Sequence, residues 1–231
     1  MNKKLTETIA HLKTKNKILF LTTSNRRAGA KETPKSTQLA NYIANQIGTE
    51  KITQIDISTL TLYPCEGNVS GLAGNSCGLK ESVLPDKEKN PSGCHRCRAS
   101  INHPDDELRK ISKALLESEV VVFFTSVRRG QTNSIYQKLI ERLTRIENRH
   151  STLGEENIVK NIEAGIIAIG HNWNNEQVVQ TQKEVLKDFG FIVPKQLCRG
   201  WTDTDMNNES QQGYQDAVKK FEEEFGLVLE K

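Results

Sequence analysis

Lys17-Ile18-Leu19-Phe20-Leu21, followed by Thr22-Thr23-Ser24-Asn25-Arg26-Arg27-Ala28-Gly29, is a short apolar run that passes at once into a hydroxyl- and arginine-rich loop. The run is bounded by charge and reads as a buried first strand of a parallel sheet. The loop continues through Pro34 to Lys35-Ser36-Thr37, after which Leu39, Ile43 and Ile47 recur at helical spacing with Ala40 and Ala44 between them. Strand, polar loop and helix in that order aim the free N–H groups of the helix, several hydroxyls and two guanidinium groups at one spot beyond the strand's carboxyl end. An anion is favoured there, and a phosphate-bearing ligand is the natural occupant.

Upstream, Leu5, Ile9 and Leu12 predict a short amphipathic helix within residues 1–16, packed either on the domain or on a second subunit. Downstream, Gly48 stops the first helix and Lys51–Leu60, with Ile52, Ile55 and Ile57, predicts the second strand. Residues 61–104 hold four of the five cysteines, many glycines and prolines, and no sustained period. We read them as a functional insertion with short helical turns. Asp105-Asp106-Glu107 suit a helix N-terminus, and Leu108, Ile111 and Leu115 share one face of that helix. Glu119–Val127, containing Val120-Val121-Val122-Phe123-Phe124, is the central strand. A second polar loop, Thr125 to Ser134, leads into a helix carrying Ile135, Leu139, Ile140, Leu143 and Ile146 inward. Ala164–Ile169 forms a fourth strand, and Gly170-His171-Asn172-Trp173-Asn174 a third polar loop. A helix with Val178, Val179, Val185 and Leu186 follows, then a fifth strand over Phe191–Leu197 and a closing helix with Tyr214, Val218, Phe221 and Phe225. The alternation predicts one domain over residues 1–231, an α/β doubly wound five-stranded parallel sheet with the 61–104 insertion after strand two. The three polar loops follow strands one, three and four and meet at the switch point, where such sheets bind ligands.

Lys+Arg 32 against Asp+Glu 29 gives a net charge of +3 spread along the chain, which demands no nucleic acid. No apolar run approaches the roughly 20 residues of a membrane span, and the N-terminus lacks the apolar core of a signal peptide. The expected compartment is the cytoplasm. Five cysteines, an odd number, suit a reducing environment better than a disulfide scaffold. Cys94-His95-Arg96-Cys97 is a C-x2-C pair with Cys65 and Cys77 upstream, a set able in principle to close around zinc or an iron–sulfur cluster. Ser100 breaks a continuing C-x2-C-x2-C run and the Cys65–Cys77 spacing is no ligand knuckle, so free or buried thiols are expected and no metal; Cys198 reads as core.

Together the three loops resemble the NADPH-dependent FMN reductase group of flavodoxin-like proteins. Thr23-Ser24-Asn25-Arg26 stands where relatives carry a Gly-Ser-Pro-Arg-like loop, and Ser36-Thr37 where a Ser/Asn-Thr pair opens the helix. Asp105-Asp106-Glu107 through Phe124-Thr125-Ser126-Val127, then Lys138-Leu139-Ile140-Glu141-Arg142, is similar to the family's Asp-Asp helix, Pro-Val-aromatic strand end and Lys-x-x-Ile-Asp-Arg helix. The resemblance covers residues 17–190 and implies a flavodoxin-like sheet of order 2-1-3-4-5, bound FMN, and NADH or NADPH as donor. It implies cofactor contacts from Ser24, Arg26, Ser36 and Thr37 at the phosphate, from Ser126, Val127, Arg128, Arg129 and Gly130 at the ring, and from Gly170, His171 and Trp173 on its other side. Ser126 departs from the family's proline, and Arg128-Arg129 from its aromatic residue; the arginines are either surface charge or partners for the flavin's N1 region or a nicotinamide's phosphates. No dedicated catalytic residue is implied. The implied activity is reduction of FMN by NAD(P)H and transfer to a quinone-like or other small-molecule acceptor, in a homodimer or higher homo-oligomer. The alternatives are an electron carrier, which the net charge disfavours, and a flavin-less scaffold using the cysteine-rich insertion for a metal or partner.

Overall fold

The computed structural model of the chain describes residues 3–25, 33–67, 77–170, 174–202 and 211–225. In chain order the elements are α1 (Lys3–Lys13), β1 (Ile18–Thr22), α2 (Lys35–Ile47), β2 (Ile52–Asp56), α3 (Arg98–Asn102), α4 (Leu108–Leu116), β3 (Val120–Arg128), β4 (Gln131–Thr132), α5 (Ser134–Ser151), β5 (Glu163–Gly170), α6 (Asn175–Asp188), β6 (Cys198–Thr202) and α7 (Gln211–Phe225). Five parallel strands lie in the order β2-β1-β3-β5-β6, and the two-residue β4 pairs antiparallel with the end of β3. Counting only parallel strands, this is the predicted order 2-1-3-4-5.

The continuous apolar runs are continuous because both faces of the sheet are covered, and successive side chains alternate between them. Leu19, Leu21, Val121, Phe123, Ile166 and Ala168 pack on one face against α4, α5 and α6. Ile18, Phe20, Val120, Val122, Phe124 and Ile167 pack on the other against α1, α2 and Phe221 of α7. The N-terminal helix therefore docks on its own chain: Leu5, Ile9 and Leu12 are buried, and Thr8 Oγ1 donates to Gln196 O at 2.6 Å.

The structure corrects three boundaries. The second strand is only Ile52–Asp56 and then tightens into a 3₁₀ turn, Ile57–Thr59. The fifth parallel strand is Cys198–Thr202, not Phe191–Leu197. Ile192 makes one isolated bridge to Glu163, then Pro194, which has no N–H for a ladder, leads into a 3₁₀ turn over Lys195–Leu197. Cys198, read as core, packs against the core from this edge strand while staying half-buried. The second polar loop is shorter than its composition predicts, because β3 runs on through Arg128 and turns back. Val127 faces Thr132 and Arg128 faces Gln131, leaving Arg129 and Gly130 as a two-residue turn with φ of 50° and 75°. Two positive φ values in succession are the hairpin geometry that matches the sheet's twist. The 61–104 insertion carries the expected short turns, Lys80–Ser82 and α3.

Candidate functional site

The chain places three connections at the carboxyl ends of β1, β3 and β5, and asparagines stitch them together. Asn133 caps α5 by accepting from Tyr136 N at 3.0 Å, while its amide donates to Thr125 Oγ1 at 3.0 Å, Ser126 Oγ at 3.1 Å and Thr23 Oγ1 at 3.5 Å. Asn25 Nδ2 donates to Ser134 Oγ at 2.8 Å, a second tie between the first and second loops. Asn174, in the left-handed region at φ 65°, donates to Gly130 O at 2.6 Å and joins the third loop to the hairpin. Sequence reasoning missed Asn133 and Asn174; the one available signal was Asn133 immediately before an apolar-periodic helix, the usual cap position.

The residues expected at a phosphate gather around the start of α2. α2 begins after Pro34 with no hydrogen bond from a capping side chain, and the N–H groups of such a first turn suit an anionic acceptor. Ser24 and Ser36 are buried. Thr37, in the same first turn, has a buried Oγ1 with no hydrogen-bond partner among the described residues. Orphaned buried hydroxyls are costly and uncommon, so Thr37 fits a site meant to receive an acceptor-rich group. Of the residues expected beside a flavin ring, Ser126 is half-buried and bonded to Asn133, Val127 packs on the core, Gly130 is buried, and Arg128 and Arg129 are exposed on the hairpin. Gly170 ends β5, and a Cβ there would overlap the Asn175 side chain, so its lack of a side chain is what seats α6. Arg26, His171 and Trp173 lie outside the described residues.

A second polar cluster fastens the insertion to α5. Lys138, Arg142, Arg145 and Arg149 fall on one stripe of that helix and donate to carbonyls of the insertion: Lys138 to Leu62 O at 2.8 Å, Arg142 to Tyr63 O at 2.6 Å, and both Arg145 and Arg149 to Cys94 O at 3.4 and 3.2 Å. Asp106 sits at the start of α4, as its acidic character predicts, and accepts from Leu108 N at 3.2 Å; it is also 3% exposed and paired with Arg142. Burial pulls its carboxyl up, but Arg142, Ser100 and the Tyr63 N–H more than offset this and hold it below the usual carboxylate range. His95 is buried between Ser112 Oγ at 2.8 Å and Ser100 Oγ at 2.9 Å. Burial, with Arg145 alongside, pushes it down to about 2, so it is neutral at physiological pH. The stretch carrying Cys94 and Cys97 is extended, with Arg96 bridged to Val83 and Cys97 at φ −149°, whereas a ligand knuckle needs a turn. Cys97 Sγ instead accepts from Arg142 Nη2 at 3.4 Å, and burial pushes Cys77 up to about 12. Among the described residues no three His, Cys, Asp or Glu side chains are grouped to hold a metal ion, and no helix is long and apolar enough to cross a membrane.

No protein-family model matches the chain, and no curated protein matches its sequence. Solved structures do. RosB with its bound intermediate 8-demethyl-8-formylriboflavin-5′-phosphate aligns with a TM-score of 0.56 at 14% identity, over 91% of this chain and 76% of that one. An azoreductase from Bacillus anthracis str. Sterne aligns with a TM-score of 0.54 at 13% identity, over 91% and 97%. The azoreductase AzrA gives 0.52 at 12% identity, over 90% and 97%. At these identities the likeness is one of fold, and the fold is flavodoxin-like.

Proposed function

We propose that the chain is a flavin-dependent NAD(P)H oxidoreductase that holds FMN across the carboxyl ends of β1, β3 and β5 and delivers electrons to a small-molecule acceptor of quinone-like kind. The observation that carries this reading is Thr37 Oγ1, buried without a partner in the uncapped first turn of α2. A phosphate supplies acceptors for that hydroxyl and for the helix N–H groups at once. The compared structures support the choice of ligand, one holding a riboflavin-5′-phosphate derivative and two being azoreductases.

When bound, FMN supplies a carrier that takes hydride from a nicotinamide and releases electrons to a second substrate. Ser24, Ser36 and Thr37, with Arg26, hold the phosphate. Ser126, Val127 and Gly130 border the ring from the hairpin, and Gly170, His171 and Trp173 border it from the third loop. Arg128 and Arg129 carry exposed charge at the hairpin tip and either favour an electron-rich ring or hold the phosphates of the donor. The chain contributes orientation and no acid or base, so its role is to bring two planar molecules face to face. Two subunits frame each site, and the odd number of cysteines, five, suits work in the reducing cytoplasm.

The test is a fluorescence titration of the purified protein with FMN and with riboflavin, which lacks the phosphate. FMN is expected to bind at least about a hundredfold more tightly, ~2.7 kcal/mol. Equal affinity would remove the phosphate anchor, and no uptake of either would end the flavin reading.

A further inference from the structure

A cavity of about 430 Å³ lies at the opposite end of the molecule from the three loops. Its walls are the 89–95 part of the insertion, one stripe of α4 and the 156–161 connection, the last two leading into the amino ends of β3 and β5. Arg109, Ser112, Lys113 and Leu116 share that stripe, being spaced i, i+3, i+4 and i+7.

Charge in the cavity is one-sided. Lys160 pairs with Glu156 at 2.6 Å, which leaves Lys89, Arg109 and Lys113 facing Glu117. Lys89 has only a distant carboxylate, Asp86 at 3.9 Å, and Arg109 donates to a carbonyl, Asp106 O, at 2.7 Å. Behind the wall stands Arg145, 1% exposed, which donates to two lining groups, Ser112 Oγ and Cys94 O, and has no carboxylate partner among the described residues. Its neighbours do not neutralise it: Asp106 is taken by Arg142, and Arg96 and Arg149 share the single carboxylate of Glu155. A buried guanidinium without a counter-charge is unfavourable, and an anion in the adjoining space relieves it. Pro91, Leu116 and Ile158 give the same cavity an apolar wall.

We infer that this cavity is a second ligand site, separate from the flavin site, which takes a small organic anion, a carboxylate or sulfonate on an apolar body. The acidic group lies toward Arg109, Lys113 and the Ser112–Arg145 wall, and the body lies against Leu116 and Ile158. The volume is within the range of small-molecule pockets. This inference stands whether or not the flavin reading does.

The probe is 1-anilinonaphthalene-8-sulfonate, titrated by fluorescence into the full chain with and without saturating FMN. Saturable one-to-one binding is expected, unaffected by FMN and weakened about tenfold by Lys113→Glu. Lys113 is exposed, and a circular dichroism melt checks that the variant is folded. N-phenyl-1-naphthylamine, the same body without the sulfonate, is expected to bind about tenfold more weakly than the anion. Absence of saturable binding, displacement by FMN, or equal affinity for the folded variant or for the neutral probe would each overturn the inference.

Discussion

Asp106 and Arg142 meet in a two-pronged ion pair, Nη1 to Oδ2 at 2.8 Å and Nη2 to Oδ1 at 2.9 Å, with both side chains fully buried. One residue closes the insertion and the other lies on α5, so the pair fixes the insertion against the sheet's helical layer. Removing one partner strands the other's charge. Asp106→Asn is expected to cost about 3–5 kcal/mol in urea unfolding, and Asp106→Leu with Arg142→Met to cost less than either single change. Asp106 has a folded pKa below its unfolded one. Its contribution is therefore complete above pH ~4 and fades as pH falls through the folded value.

His95 gives a second pH dependence, in a higher window. The unfolded chain takes up a proton near pH ~6.5, while the folded imidazole, held between two serines, resists protonation down to about 2. Stability is then highest above pH ~6.5 and falls by ~1.4 kcal/mol per pH unit below it. Unfolding measured at pH 7 and pH 5 is expected to differ by about 2 kcal/mol, and His95→Gln to flatten most of that slope while lowering stability at pH 7.

Asn133 does two jobs through two ends of one amide. Asn133→Asp keeps the oxygen that caps α5 but loses the donor to Thr125, Ser126 and Thr23, whereas Asn133→Ala loses both. Alanine is expected to cost ~1–2 kcal/mol in unfolding and aspartate less. FMN binding is expected to weaken in both, which separates helix capping from loop positioning.

Thr37→Val removes a hydroxyl that is buried and unpartnered. Stability is expected to hold or rise by up to ~1 kcal/mol, since no hydrogen bond is lost. FMN affinity, read by fluorescence, is expected to fall about tenfold. Opposite signs for stability and binding distinguish a ligand contact from a packing residue.

The fold was legible because its signals are local. Val120–Phe124 is apolar at every position since both faces are covered, and Leu39, Ala40, Ile43 and Ala44 mark α2's buried face without ambiguity. The fifth strand was misplaced because Phe191 and Leu197 are buried like strand residues, yet pairing resumes only beyond Pro194, where Cys198-Arg199-Gly200 has little apolar character. The turn at Arg129-Gly130 was hidden for a similar reason: a polar tip looks the same whether or not the flanking residues pair. At the candidate site the hydroxyls of the first connection were visible as composition. The roles of Asn133, Asn174 and the buried Asp106 were not, because each depends on a partner distant in sequence.

The central claim is flavin-dependent oxidation of a nicotinamide, and anaerobic titration of the FMN-loaded protein with NADPH and then NADH tests it most directly. The account predicts that at least one of them bleaches the bound flavin's visible absorbance stoichiometrically, and that a quinone restores it. A protein that binds FMN yet keeps its oxidised spectrum with both donors would contradict the account.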